Sequence, residues 1–130
     1  MNTEKVPNIR VLALLFAPKF KAIFPRIICI ENSLEGLKEA IGCKCITCTE
    51  IEIEGKKYEL WSDDEALLGD NPVPTLYLND DLIIFGNVIF AKNDGEGETI
   101  GVTLSDIITL RHLIHTQAKK LEKFLKKERK

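Results

Sequence analysis

The sequence predicts one α+β domain, built as a mixed, mainly antiparallel sheet of five to seven strands with two helices. A short helix is expected at about residues 33–42 and a long C-terminal helix at about 105–127. At 130 residues, 45% hydrophobic and 29% charged, the chain has the size and composition of one compact globular domain. Short apolar or alternating segments bounded by turn residues predict strands. We therefore expect residues 1–130 to form a single domain, with frayed ends at 1–8 and about 126–130.

Four strands are predicted in the first half. The apolar run Ile9–Phe16 has no helical periodicity and ends before Pro18, which is typical of a buried central strand. A second strand follows at Pro25–Glu31. Between Cys43 and Trp61 apolar and polar residues alternate on both sides of Gly55, which predicts a β-hairpin.

Both helices carry terminal signals. Asn32 or Ser33 is the expected N-cap of the short helix, and Gly42 suits its left-handed C-cap. Ser105 is the expected N-cap of the long helix. Apolar residues at spacings of three and four form the predicted buried stripe of the long helix: Ile107, Leu110, Leu113, Ile114, Ala118, Leu121 and Leu125.

The middle of the chain is rich in turn residues. Gly69–Pro74 contains two prolines and a glycine, which predicts a loop. Thr75–Leu78 and Asp81–Ala91 predict two or three further strands, with a turn or bulge at Gly86-Asn87. Asn93–Gly97 is the strongest turn signal in the sequence.

The sequence predicts a cytoplasmic protein without membrane contact. Its longest apolar run, Val11–Ala17, is too short to cross a bilayer, and the N-terminus lacks the pattern of a signal peptide. In a reducing cytosol its four cysteines would be thiols.

The net charge of −2 is unevenly distributed. Residues 116–130 hold seven of the 18 Lys/Arg and two of the 20 Asp/Glu, which leaves 11 basic and 18 acidic residues, a net −7, in the rest of the chain. The acidic remainder of the chain would repel a nucleic acid, so we do not expect nucleic acid as a partner. Our leading interpretation of the lysine-rich C-terminal end is a solvated helix terminus.

As an alternative to free thiols, Cys43, Cys45 and Cys48 could be ligands of a zinc ion. Three soft ligands with a histidine would suit zinc, but structural zinc sites usually place ligand pairs on tight turns. In a strand, Cys43 and Cys45 would face one way and Cys48 the other. We therefore expect no metal and no cofactor, with buried or surface thiols as the leading interpretation.

The sequence contains no recognisable set of catalytic residues. The sequence has no phosphate-binding glycine loop, no nucleophile elbow and no metalloprotease helix. His112 and His115 lie three residues apart on an amphipathic helix, where His112 should flank the apolar stripe and His115 should be solvated. We therefore predict a binding protein and not an enzyme.

One set of residues has the chemistry of nucleotide binding. An aromatic face can stack on a base, an amide or carboxylate can read its edge, and arginines can hold phosphates. The alternative is that Phe85 and Phe90 are core residues and the arginines lie on the surface. The predicted ligand-binding residues are Arg26, Phe85, Asn87, Asn93, Asp94 and Arg111.

Three segments together resemble a family of short uncharacterised proteins carried by phages, prophages and plasmids of Gram-positive bacteria. They are Ile28–Gly42, Gly69–Pro74 and Ile84–Asp106. The chain is also similar in kind to the anti-Thoeris sponges of phages, which bind a cyclic ADP-ribose-type signal without degrading it.

That resemblance implies a non-enzymatic anti-defence protein that sequesters a cyclic ADP-ribose-type molecule or a cyclic oligonucleotide in the cytoplasm of a bacterial host. A homodimer or higher oligomer would enclose the ligand. The alternative function is a protein-interaction or regulatory module of a mobile genetic element, which zinc could stabilise.

Overall fold

A computed structural model describes residues 7–66, 74–77 and 83–128. The helices are α1 (Leu34–Ile41) and α2 (Leu104–Glu128). The strands are β1 (Asn8–Ala17), β2 (Ala22–Glu31), β3 (Ile46–Ile53), β4 (Lys56–Asp63), β5 (Pro74–Tyr77), β6 (Ile83–Phe85), β7 (Val88–Asn93) and β8 (Thr99–Ile100).

The main sheet has six strands. Five of them follow the order β2-β1-β7-β4-β3, and β8 pairs with β7. β5 and β6 form a separate two-stranded sheet. Every strand pair in the described ranges is antiparallel. The predicted α+β class and mainly antiparallel sheet are therefore confirmed, and β1 takes the predicted central position.

The two helices pack on opposite faces of the main sheet. On the α1 face, Leu37 and Ile41 join a cluster with Val11, Ala13 and Ile89. On the α2 face, the helix and the small β5-β6 sheet together enclose a larger cluster that includes Leu12, Leu14, Tyr58, Leu60, Leu76, Phe90, Ile107 and Leu110. Alternation along each strand assigns successive side chains to these two cores.

Helix α1 begins and ends as its sequence predicts. The Ser33 hydroxyl accepts a hydrogen bond from the Gly36 backbone N–H at 3.0 Å. Gly42 has a φ of 83° and donates its N–H to the Lys38 carbonyl. A side chain at Gly36 would collide with the Glu31 carbonyl oxygen, so glycine allows the helix to approach the end of β2.

Helix α2 spans Leu104–Glu128, which confirms the helix predicted at about 105–127, but the predicted Ser105 cap is wrong. The Thr103 hydroxyl accepts from the Asp106 N–H, and the Asp106 carboxylate accepts from the Thr103 N–H, so Thr103 is the N-cap. Ser105 lies within the first turn. Within the predicted apolar stripe, Ala118 is exposed and the other members are buried or half-buried, with Ile107 and Leu110 in the α2-face core. His112 and His115 are both exposed.

The predicted turns occupy their expected places. Glu54 and Gly55 both have positive φ angles and join β3 to β4. Gly86, with a φ of 81°, separates β6 from β7. Of the predicted loop at 69–74, only Pro74 lies within the described residues, where it begins β5. Among the predicted frayed ends, residues 1–6 and 129–130 lie outside the described ranges, and Asn8 pairs with Glu31.

Candidate binding surfaces

The two arginines of the predicted nucleotide site lie on opposite faces of the sheet. Arg26 is exposed on β2 and pairs across strands with Ala13, whose side chain belongs to the α1 face. Arg111 is exposed on α2, which covers the other face. Within one molecule the sheet therefore separates these two cations.

The predicted polar residues make hydrogen bonds inside the protein. Asn87 accepts from the Phe16 N–H at 2.8 Å and donates to the Ile41 carbonyl at 3.0 Å. The Asp94 carboxylate accepts from the N–H groups of Glu96 and Glu98 and closes the turn after β7. These contacts give Asn87 and Asp94 structural roles.

Phe85 lines a cavity of about 130 Å³ between β6 and the end of β4. Asp63 and Asp64 line the same cavity. The volume is below that of ordinary small-molecule pockets. The two carboxylates would repel a phosphate, so this cavity does not suit a nucleotide.

The predicted opposite orientation of Cys43 and Cys48 is wrong. Cys43 packs against the α1-face core, and Cys48 pairs across strands with Trp61, which packs against the same core. The alternation was misread because β3 begins only at Ile46. Among the described residues, no group of three His, Cys, Asp or Glu could hold a metal ion.

The cysteines nevertheless have perturbed acidity. Burial, followed by the charges of Glu59 and Glu50, raises the pKa of the Cys48 thiol to about 11. Burial also raises the pKa of Cys43, and a hydrogen bond with Glu65 raises that of Cys45. These three thiols are therefore poor nucleophiles and poor metal ligands at neutral pH.

A buried carboxylate network on the α1 face was not predicted from the sequence. Glu59 is 5% exposed and accepts hydrogen bonds from Trp61 Nε1 at 3.1 Å, Thr99 Oγ1 at 2.6 Å and Asn93 Nδ2 at 2.8 Å. Asn93, predicted as a ligand-binding residue, therefore holds Glu59. A signal existed in the sequence, since Glu59 interrupts a run of apolar residues on a central strand.

A second network lies on the α2 face around Asp106, which is fully buried. It accepts from the Tyr58 hydroxyl at 2.8 Å and lies 3.3 Å from Lys92 Nζ and 3.7 Å from Lys56 Nζ. Burial alone would raise its pKa, but hydrogen bonds from Thr103, Tyr58 and Lys92 outweigh it and lower the pKa to about 2. Asp106 therefore ties the start of α2 to the sheet.

The tip of the β1-β2 hairpin, residues 18–26, combines exposed aromatic rings with cations. Phe20 is 66% exposed and Phe24 is 40% exposed, with their ring centroids 5.8 Å apart in an edge-to-face arrangement. The Lys19 ammonium lies 5.8 Å from the centre of the Phe20 ring. Lys21 and Arg26 are exposed in the same segment, which contains no acidic residue. Of these residues, only Arg26 was predicted from the sequence to bind a ligand.

None of the helices in the described ranges is sufficiently long and apolar to span a membrane.

Comparison with known proteins places the chain in a family. No curated protein and no solved structure is significantly similar to this chain. A family model described as a domain of unknown function, DUF3846, matches residues 9–115. The match runs from β1 to the middle of α2 and includes the hairpin tip and both buried carboxylates. The chain therefore belongs to the uncharacterised DUF3846 family.

Proposed function

We propose that the protein is a non-enzymatic binding protein that sequesters a nucleotide-derived signalling molecule, and that the hairpin tip holds this ligand. The ligand class is a cyclic ADP-ribose-type molecule or a cyclic oligonucleotide. The setting would be a phage or prophage that blocks a bacterial defence signal. The observation that supports the proposal is the pair of exposed phenylalanine rings in a segment that also carries three exposed cations.

The tip offers both kinds of contact that a nucleotide needs. Bases of any sequence stack on aromatic side chains, and each stacked base is worth about 1–3 kcal/mol. Phe20 and Phe24 present ring surface to solvent. Arg26 follows on the same face of β2 as Phe24, since the two are separated by one residue, and its planar guanidinium can bind a phosphate through two hydrogen bonds. Phe24 thus takes the stacking role predicted for Phe85, and of the two predicted arginines the proposal keeps Arg26.

A single hairpin tip is too open to enclose a ligand. Tight capture without chemistry requires a desolvated, preorganised site. Two tips facing each other across a twofold axis would cover both sides of a cyclic ligand and supply six cations. The proposal therefore includes a homodimer or higher oligomer.

Isothermal titration calorimetry with a cyclic ADP-ribose and with a cyclic dinucleotide tests this function. We expect binding of at least one of them, weakened about 5- to 150-fold by Phe24→Ala, which matches the loss of one stacked base. Arg26→Ala should also weaken it. Arg111→Ala and Phe85→Ala are the matched controls and should bind as the wild type does.

Two outcomes would overturn the proposal. One is equal binding by wild type and the Phe24→Ala and Arg26→Ala variants. The other is chemical conversion of the bound ligand, which chromatography of the recovered nucleotide would reveal. Recovery of unchanged ligand is the result expected of sequestration.

The basic surface of α2 favours a second candidate, an interaction module of a mobile genetic element. Arg111, His115, Lys119 and Lys123 recur at intervals of four residues and are all exposed. Such a stripe can contact phosphates of a nucleic acid. Retention on DNA that falls steeply with salt and is lost in a Lys119→Glu/Lys123→Glu variant would support this candidate, whereas retention that the double variant leaves intact would contradict it.

A further inference from the structure

Strand β3 forms one edge of the main sheet and has no neighbouring strand on its outer side among the described residues. Antiparallel pairs alternate between hydrogen-bonded and non-hydrogen-bonded positions. Ile53 and Lys56 flank the two-residue turn, so they form a hydrogen-bonded pair. Every second residue of β3 is then also hydrogen-bonded to β4, and the bond from the Asp64 N–H to the Cys45 carbonyl agrees with this spacing. The backbone groups of Cys48, Glu50 and Glu52 therefore point away from β4.

A groove lies between this edge and α2. It has a volume of about 320 Å³ and is lined by residues 49–53 of β3 together with Leu113 and Gln117 of α2. The apolar walls of the groove are the half-buried side chains of Ile51, Ile53 and Leu113, which pack against the α2-face core. A strand added to β3 would direct every second side chain into this groove.

Gln117 provides an independent indication of a ligand. Its side chain lines the groove, it is only 6% exposed, and its Oε1 atom has no hydrogen-bond partner within the described part of the protein. A buried acceptor without a donor is destabilising and rare in folded proteins. The Oε1 atom has almost no accessible surface, so a donor from a bound chain would satisfy it once the amide turned towards the groove.

The charges on the edge indicate the kind of chain. Glu50 and Glu52 are exposed and lie on the α1 side of β3. If β3 of a second copy paired here, these carboxylates would face one another and destabilise the pairing. Lysine or arginine on the added strand would instead form cross-strand ion pairs.

We propose that the β3 edge and its groove bind an extended segment of a partner protein by strand addition, a segment in which apolar residues alternate with lysine or arginine. The apolar side chains enter the groove, the basic ones face Glu50 and Glu52, and a polar donor bonds the Gln117 amide oxygen once that amide has turned towards the groove. Main-chain hydrogen bonds give such contacts affinity, and the alternating side chains give them specificity. This surface is separate from the hairpin tip and does not depend on nucleotide binding.

The test is fluorescence polarisation with a labelled synthetic peptide of the same length as β3 in which valine and lysine alternate. We expect saturable binding to the full chain and at least about fivefold weaker binding of a valine–glutamate peptide. Glu50→Pro should abolish binding, because proline removes an outward N–H without removing a bond to β4. Glu50→Gln is the matched control that keeps the N–H and should weaken binding only through the lost charge.

A second variant protects the test against a folding defect in Glu50→Pro. Gln117→Leu keeps the volume but removes the acceptor, and it should weaken the valine–lysine peptide while circular dichroism shows an unchanged fold. Equal binding of both peptides, or no effect of Glu50→Pro and Gln117→Leu, would overturn the proposal. Concentration-dependent dimerisation of the wild type that Glu50→Pro abolishes would assign the edge to a second copy and also overturn it. Loss of nucleotide binding in the hairpin-tip variants leaves each of these outcomes unchanged.

Discussion

Replacing Asp106 with asparagine should destabilise the protein in a pH-dependent manner. The carboxylate is fully buried, and its pKa is lowered from 3.8 to about 2 in the folded protein. A pKa that is lower in the folded than in the unfolded state adds stability above the unfolded value and loses it as pH falls through the folded value. The difference corresponds to about 2 kcal/mol at pH 7.

Urea denaturation of wild type and Asp106→Asn across pH measures this contribution. At pH 7 the variant should be less stable by about 2 kcal/mol or more, because Lys92 and Lys56 also lose their partner. The gap should fall to roughly half near pH 3 and to about a sixth near pH 2, where the wild-type carboxyl is half protonated. Glu35→Gln, at an exposed carboxylate on α1, is the control and should change stability by less than about 0.5 kcal/mol at any pH.

A gap of the same size at pH 7 and pH 3 would refute this reasoning, because it would show that shape and packing account for the loss. A gap below about 0.5 kcal/mol at pH 7 would refute it as well, since the network around Asp106 would then contribute nothing measurable.

Three further changes test other parts of the fold. Asn87→Ala should cost about 2 kcal/mol in urea denaturation, because it leaves the Phe16 N–H and the Ile41 carbonyl without their partner; an unchanged midpoint would contradict this. Gly36→Ala should cost about 1–3 kcal/mol through collision with the Glu31 carbonyl, and a gain in thermal stability from better helix propensity would contradict it. In a variant that keeps Cys48 as its single cysteine, the iodoacetamide rate should still rise about tenfold per pH unit between pH 8 and pH 10, whereas a plateau in that range would show that its pKa is not raised to about 11.

Local patterns identified most of the secondary structure. Alternation predicted the β3-β4 hairpin, and terminal residues predicted both ends of α1, because these signals act within a few residues. The N-cap of α2 was misassigned because Thr103 and Ser105 are both good caps, and the choice depends on Asp106 reaching Tyr58 on a distant strand. Strand order was also beyond prediction, since it depends on contacts distant in sequence.

The predicted ligand residues show the same limit. Their side-chain types suit contacts with a nucleotide, but side-chain type does not reveal which partner a residue has in the fold. Asn87 bonds to the backbone of Phe16, and Asn93 bonds to the buried carboxylate of Glu59. Both partners lie on other elements of the fold. Phe20 and Phe24 are exposed because β1 pairs with β7 only at Leu12–Leu14, which leaves the hairpin tip beyond the rest of the sheet.

The most direct test of nucleotide binding by the hairpin tip is a two-dimensional amide NMR titration of the ¹⁵N-labelled protein with the cyclic nucleotide that binds in calorimetry. We predict that the largest shift changes lie in residues 18–26 and that they are lost in a Phe20→Ala/Phe24→Ala variant that keeps the remaining spectrum. Shift changes concentrated around Phe85 or Arg111, or none at saturating nucleotide, would contradict the account.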